Sequence, residues 1–141
     1  MENQGGVRNK ILILGFYNQN NCNMENKRNP LLDKSYQFSL LILEFCYSLQ
    51  DNYKEYILSK QLLRSGTAIG ALSEEAQQAE SKADFIHKLA IANKEAHESH
   101  YWLRLLRDSQ RFNIETESLL TQSEELKRLL ISIIKSSKKQ K

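Results

Sequence analysis

Apolar and small side chains recur along the chain at steps of three and four residues, a spacing that places them on one face of an α-helix. Four such runs follow one another and are separated by polar stretches. The runs are Phe38, Ile42, Phe45 and Leu49; then Leu58, Leu62, Ser65, Ile69, Leu72, Ala76 and Ala79; then Phe85, Leu89, Ala92, Ala96, Ser99, Leu103 and Leu106; and finally Leu119, Ser123, Leu126, Leu130 and Ile133. This pattern predicts four helices and therefore an all-α fold.

Residues suited to the start of a helix lie where two of the runs begin. Asn29 can act as an N-cap for a helix whose first residue is Pro30, where the missing proline N–H costs nothing. Ser81 followed by Asp84 resembles a capping box. Because the polar connections between the runs are short, neighbouring helices are predicted to be antiparallel, in an up-down-up-down four-helix bundle.

Small residues lie in the middle of the second and third runs. Ser65 and Ala76 belong to one run, and Ala92, Ala96 and Ser99 belong to the other. Since the distance between two helix axes depends on the side chains at the contact, these two helices are predicted to pack closely.

The length of 141 residues is typical of one domain. Residues 30–135 are assigned to the bundle, and residues 136–141 to a basic C-terminal tail. Residues 1–29 contain a run rich in asparagine and are predicted to be disordered, or to precede an alternative start at Met24.

The composition excludes several classes of protein. One proline and five glycines are too few for a β-rich fold with many tight turns. The two cysteines, Cys22 and Cys46, show neither the spacing of a zinc site nor that of a disulfide framework, so reduced thiols are expected. No apolar run approaches the roughly 20 residues needed to cross a bilayer. We expect a cytoplasmic protein without a membrane span.

A row of basic and ionisable side chains is the main candidate for chemistry. Its members, at steps of three and four residues, are His97, His100, Arg104, Arg107 and Arg111. Such a row can follow the phosphates of RNA or DNA, and counterion release would then make affinity fall with salt. Lys88 and Lys127 are further candidates for phosphate contact. The alternative is an ordinary solvated face, because charged stripes are common on amphipathic helices.

A metal site is the second candidate, because several possible ligands lie on the second and third helices. They are Glu74, Glu75, Glu95, Glu98, His97 and His100. Di-metal bundles use Glu-x-x-His on two helices, which this chain lacks, and a histidine pair without a third ligand makes a weak site. The alternative is that the glutamates cap helices or pair with basic groups, such as Arg64 with Glu75 or Glu95. We expect no metal and no cofactor.

The sequence also lacks the motifs of common enzymes. No glycine-rich phosphate loop, Ser/His/Asp set or Cys/His pair with supporting context occurs. Small helical ribonucleases of the toxin type carry an arginine shortly before a histidine, and no histidine here has one at that spacing. We expect a protein that is not an enzyme.

Several stretches of the second and third helices carry a resemblance to a known family. They are 61–71 (QLLRSGTAIGA), 74–76 (EEA), 80–89 (ESKADFIHKL), 94–96 (KEA) and 101–106 (YWLRLL), with Ala92 and Glu98. The chain resembles the four-helix-bundle family also called 23S rRNA intervening-sequence proteins, to which the accessory variability proteins of diversity-generating retroelements are related. The likeness covers about residues 34–134. Ala68 and the pair at 72–73 depart from the family pattern. These departures affect the hydrogen bonds expected at that turn of the second helix, and they do not affect the predicted fold.

The resemblance implies a homopentameric assembly with a basic surface and, in the retroelement branch, binding of nucleic acid and of a reverse transcriptase. The chain has more aromatic side chains than one thin core can hold, and some of them are predicted to face another subunit. The candidates are Tyr47, Tyr53, Tyr56, Tyr101 and Trp102.

Two hypotheses for function therefore stand side by side. The first is an oligomeric nucleic-acid-binding accessory protein that contacts phosphates through Arg104, Arg107 and Arg111, aided by His100, Lys88 and Lys127. The alternative is a protein-binding scaffold that docks a partner such as a reverse transcriptase, without direct contact to nucleic acid.

Overall fold

The structure, a computed structural model, describes residues 28–140, and within that range it contains four helices and no strand. The helices are α1 (Pro30–Tyr53), α2 (Ile57–Gln77), α3 (Lys82–Asp108) and α4 (Glu117–Lys139). The predicted all-α four-helix bundle is confirmed. The prediction for residues 1–29 falls outside the described residues except at its last two positions, and Cys22 also falls outside.

Consecutive helices pack against each other, and α4 packs against α1, while the Cα atoms of diagonally opposite helices stay more than 8 Å apart within the described residues. Ser65 of α2 hydrogen-bonds Ser99 of α3, and Glu75 of α2 hydrogen-bonds Lys88 of α3. Glu75 follows Ser65 in α2, but Lys88 precedes Ser99 in α3. This order of contacts shows that the two helices are antiparallel. The connectors 54–56 and 109–116 consequently lie at one end of the bundle, which we call the upper end.

The predicted caps of α1 and α3 are confirmed. The Asn29 side-chain oxygen accepts the backbone N–H groups of Leu31 and Leu32, at 3.1 and 3.3 Å. Ser81 Oγ accepts the N–H of Asp84 at 3.0 Å. These bonds satisfy N–H groups that have no partner within the first turn of a helix.

The other two helices are capped by a glutamate that precedes the N-cap residue. The Glu55 carboxylate accepts the N–H groups at the first three positions of α2, 57–59, over distances of 3.1, 2.9 and 2.8 Å. Glu115 accepts the N–H of Ser118 at 3.1 Å at the start of α4. Both carboxylates also lie where the helix dipole favours negative charge.

The core lies along the bundle axis and contains most of the predicted apolar runs. Its buried hydrophobic side chains are Leu31, Phe38, Ile42, Phe45, Cys46, Leu49, Leu62, Ile69, Ala76, Leu89, Ala92, Ala96, Leu103, Leu106, Leu119, Leu120, Leu126 and Leu130. Phe85, Leu58, Leu72 and Ile133, which belong to the predicted runs, are only partly buried at the edge of this core. The helical periodicity therefore identified the core more reliably at the middle of each helix than at its ends.

Two glycines of α2 allow α1 to come close. A Cβ atom at Gly66 would lie 2.8 Å from Ile42 Cγ2, and one at Gly70 would lie 3.2 Å from Ser39 Oγ. A larger side chain at Gly66 would require Ile42 to move. The cost of glycine to helix propensity is therefore offset by packing between α1 and α2.

The predicted close pairing of α2 and α3 is seen at their small residues. Ser65 and Ser99 are fully buried, and their hydroxyl oxygens are 3.0 Å apart in a hydrogen bond. Such a bond between two short side chains requires the two helix backbones to lie near each other.

The last turn of α4 extends beyond the predicted end of the bundle. The helix continues to Lys139, so most of the segment predicted as a basic tail at 136–141 is helical. Serine and lysine permit helix well enough to extend a helix that tertiary packing has already formed. Within residues 28–140, no helix combines the length and the apolar character that a bilayer span requires.

Candidate nucleic-acid interface

His100 is held in the contact between α3 and α4. Its Nδ1 atom lies 2.9 Å from Ser123 Oγ, and the buried Ser123 hydroxyl donates to the carbonyl of Leu120 at 2.8 Å. A hydroxyl has one hydrogen, so Ser123 donates either to the Leu120 carbonyl or to His100 Nδ1, and the tautomer of His100 follows from that choice.

Charged groups from both helices surround this histidine. Burial lowers the pKa of His100 from its usual 6.5, and the nearby positive charge of Lys127 lowers it further. Glu124 opposes this effect, while Arg104 and His97 add to it. The histidine is thus favoured in its neutral form, in a region where positive charge exceeds negative charge.

The α3–α4 basic face is the name we use for Arg104, Lys127 and Arg128 together with His97 and His100. Arg104 is exposed, and no carboxylate of the described residues forms an ion pair with it. Lys127 donates to Glu124 at 2.7 Å, and Arg128 is exposed. The face therefore has three permanent positive charges, with the carboxylate of Glu124 bound to Lys127 and that of Asp108 within electrostatic range of Arg104.

The predicted row of basic residues does not continue as one helical stripe. Helix α3 ends at Asp108, and Gln110 has the positive φ of 55° that turns the chain away, so Arg111 lies in the connector 109–116. The prediction of a single helical face through Arg111 was wrong. The polar residues after Asp108 already indicated a turn there, and a row with helical spacing cannot be extended through a turn.

Arg107 and Lys88, also predicted to contact phosphate, already have acidic partners. Arg107 donates to Asp108 at 2.7 Å and lies 3.7 Å from Glu117. Lys88 donates to Glu75 of α2 at 3.0 Å. Because His100 faces α4 while Lys88 faces α2, these two candidate residues lie on different sides of α3.

Three of the four glutamates considered as metal ligands, Glu75, Glu95 and Glu98, form ion pairs instead. Arg64 binds both Glu95, at 3.3 Å, and Glu98, and Glu98 also accepts from Trp102 Nε1 at 3.2 Å. The expected pair of Arg64 with Glu95 is therefore present, whereas Glu75 pairs with Lys88. In the part of the chain that the structure describes, no group of three or more His, Cys, Asp or Glu side chains is arranged to hold a metal ion.

Cys46 is unsuited to chemistry. Its side chain is fully buried in the core, and burial raises the pKa of the thiol to about 12. A thiol that stays protonated is a poor nucleophile and a poor metal ligand.

A groove at the upper end is the feature that the sequence did not reveal. It has a volume of about 470 Å³ and is lined by Tyr53, Lys54, Glu55, Tyr56, Ile57, Arg111 and Phe112. These residues come from two connectors that are distant in sequence and meet only because the helices are antiparallel. The sequence did show aromatic residues beside both of these connectors, and the predicted topology places the two connectors at the same end of the bundle. These two facts together could have indicated the groove.

Comparison with known proteins agrees with this architecture. A family model described as 23S rRNA-intervening sequence protein matches residues 27–132. The chain is also similar to a solved structure from Bacteroides thetaiotaomicron, a protein with unknown function from the S23 ribosomal protein family. That structure has 50% sequence identity and a TM-score of 0.72, and the match covers 74% of this chain and 98% of the other. No curated protein matches the chain. The extent of the family match shows that the chain belongs to the 23S rRNA-intervening sequence protein family.

Proposed function

We propose that this protein is a non-enzymatic, oligomeric accessory protein that binds RNA or DNA phosphates through the α3–α4 basic face. The observation that carries the proposal is Arg104, an exposed arginine without an ion pair to any described carboxylate, near Lys127 and His100. An exposed guanidinium can bind a phosphate without first giving up an acidic partner. Lys127 binds Glu124 at 2.7 Å and its side chain is only 15% exposed, so a phosphate contact requires it to turn away from that carboxylate.

Arg111 adds a second positive charge without an acidic partner among the described residues. Arg107, between Arg104 and Arg111 in the chain, is exposed but shared between Asp108 and Glu117. We therefore rank Arg104 and Arg111 above Arg107 as phosphate contacts. Lys88 contributes least, since it faces α2 and binds Glu75.

Exposed apolar side chains support the oligomeric part of the proposal. Leu43 and Tyr47 on α1 are 38% and 51% exposed, and Tyr101 and Leu105 on α3 are 52% and 39% exposed. The two residues of each pair are one helical turn apart, and neighbouring exposed apolar side chains are typical of surfaces that contact another protein. Several copies of a modest basic face in one assembly would also strengthen its electrostatic field.

The same apolar side chains support the second candidate, a scaffold that docks a partner protein such as a reverse transcriptase. In that case the arginines only keep the surface solvated. The family description names the intervening sequence of 23S rRNA and is compatible with both candidates.

The test is binding of a labelled structured RNA, measured by fluorescence anisotropy at about 50 and about 200 mM salt. If Arg104, Arg111 and Lys127 each contact one phosphate, the slope of log K against log salt is between about −2 and −3. Arg104→Glu is expected to weaken binding at least about tenfold at the lower salt, because it removes one contact and adds repulsion.

Lys82→Glu is the matched control. It changes the net charge by the same amount at an exposed position at the other end of α3, and it is expected to retain binding within about twofold. Equal losses in both variants would indicate an effect of overall charge only. A wild-type protein that binds no RNA or DNA at the lower salt would favour the protein-docking scaffold.

A further inference from the structure

The groove at the upper end has unusually exposed apolar walls. Ile57 is 77% exposed, Tyr56 is 46% exposed and Tyr53 is 38% exposed, while Phe112 is partly buried beside them. These side chains lie next to each other around one depression. A clustered apolar surface of this kind commonly marks a binding site.

The walls of the groove are held together from both connectors. The Tyr53 hydroxyl donates to the backbone oxygen of Asn113 and accepts from the backbone N–H of the same residue, both at 3.0 Å. The rings of Tyr53 and Phe112 meet edge to face, with their centroids 5.3 Å apart at an interplanar angle of 80°. The end of α1 and the connector 109–116 therefore form one surface, so little ordering is needed when a ligand binds.

The charges around the groove favour an anionic ligand. Lys54 and Arg111 line it as cations. The carboxylate among its lining residues, that of Glu55, accepts three backbone N–H groups at the start of α2. Because the positive end of the α2 dipole offsets the charge of Glu55, the cations of the groove remain available.

We infer that this groove binds unpaired nucleotides, with a base stacked on Tyr56 and the flanking phosphates on Arg111 and Lys54. The inference rests on the proposed function and adds the class of nucleic acid, a single-stranded segment. Bases of any sequence can stack on an aromatic ring, while a duplex keeps its bases inside and offers only its backbone.

The inference is tested with an unstructured oligouridine and a blunt hairpin duplex that have the same number of phosphates. The wild-type protein is expected to bind the oligouridine more tightly. Tyr56→Ala is expected to weaken binding of the oligouridine about tenfold, because it removes one base–aromatic stack. Binding of the duplex, whose bases do not stack on Tyr56, is expected to stay unchanged. Tyr56→Phe retains an aromatic face and is expected to bind like the wild type.

Tyr36→Ala is the matched control. It makes the same substitution at a tyrosine that is 51% exposed but lies towards the other end of α1, so binding should not change. A second measurement uses the wild-type protein alone, with an oligonucleotide that carries 5-iodouridine. Photo-crosslinks are expected on the peptides that contain Tyr56 or Phe112.

The outcomes separate this inference from the proposed function. Equal affinity for single strand and duplex, or a Tyr56→Ala variant that binds oligouridine normally, overturns the inference. If Arg104→Glu still weakens binding in that case, the proposed function stands. Crosslinks confined to other peptides also overturn the inference. A protein that binds neither probe removes the proposed function and the inference together.

Discussion

At the scale of single residues, His100 links the packing of the bundle to pH. Its pKa lies below the usual value because the side chain is largely buried between α3 and α4 and Lys127 lies nearby. The unfolded chain therefore takes up a proton at this histidine more readily than the folded chain does. Stability from this group is complete above about pH 6.5 and is lost as the pH falls from there through the lower pKa of the folded state.

We predict that the melting temperature falls between about pH 7.5 and about pH 5.5, the range in which histidine changes charge, and that His100→Asn reduces this fall. Asparagine can keep a polar bond to Ser123 but does not titrate. Thermal melts of both proteins, followed by circular dichroism, provide the measurement. The prediction is wrong if the variant and the wild type lose the same number of degrees over this interval.

Glu55 shows how a single side chain can replace a conventional cap. Tyr56 occupies the N-cap position of α2 and provides no side-chain hydrogen bond there. The Glu55 carboxylate bonds three N–H groups instead, and the Glu55 backbone oxygen accepts from Ser59 Oγ at 2.7 Å. A conventional cap contributes about 1 kcal/mol, and Glu55 contributes in the same way. This cap was not predicted from the sequence, because glutamate is not a usual capping residue and Glu55 lies one residue before the N-cap position.

At the scale of the helix, α2 presents two contact faces rather than one. Ser65 faces α3, while Gly66 and Gly70 face α1. Sequence analysis predicted a single seam through Leu58 and Leu72, both of which are only partly buried. A helix in a four-helix bundle contacts two neighbours, so its buried face is wider than the seam of a two-stranded coiled coil.

We predict that Ser65→Leu lowers the free energy of unfolding by about 1 to 3 kcal/mol, because a larger side chain overfills the contact with α3. Ala92→Leu, at another fully buried small position, is expected to have a similar effect. The measurement is denaturant unfolding followed by circular dichroism.

The control for this prediction is Ser65→Ala. It removes the hydrogen bond with Ser99 without adding volume and is expected to cost about 1 kcal/mol. A Ser65→Leu variant as stable as the wild type would contradict close packing at this position. If Ser65→Ala and Ser65→Leu were equally destabilised, the lost hydrogen bond would be the whole effect.

At the scale of the whole molecule, the exposed apolar side chains of α1 and α3 bear on assembly. We predict that gel filtration coupled to light scattering gives a mass near that of a pentamer of the 16.4 kDa chain, as the family resemblance implies. The assembly would cover side chains such as Tyr47 and Tyr101, which are about half exposed in the single chain. Burying them removes apolar surface from water, which stabilises the assembly.

Replacing Tyr101 by Asp tests the same prediction. The variant should be smaller than the wild type, since a buried carboxylate without a partner is costly at an interface. A wild-type mass near that of one chain would contradict the oligomeric part of the proposed function. Phosphate binding would still be decided by the RNA-binding measurement.

The amino-acid sequence by itself determined the elements of this protein. The number of helices, the Asn29 and Ser81 caps and the middle of each buried seam all depend on residues within a few positions of one another. Such information is local, because helical periodicity and capping arise within one or two turns.

Which elements face each other, and what they form together, became known only from the packing of the helices. Packing placed Lys88 on the α2 side of α3 and brought Tyr56 beside Phe112 at the upper end. These relations join residues that are distant in the chain, and helical periodicity holds no information about them. The fold therefore follows from local patterns, while the candidate site follows from the antiparallel packing of the helices.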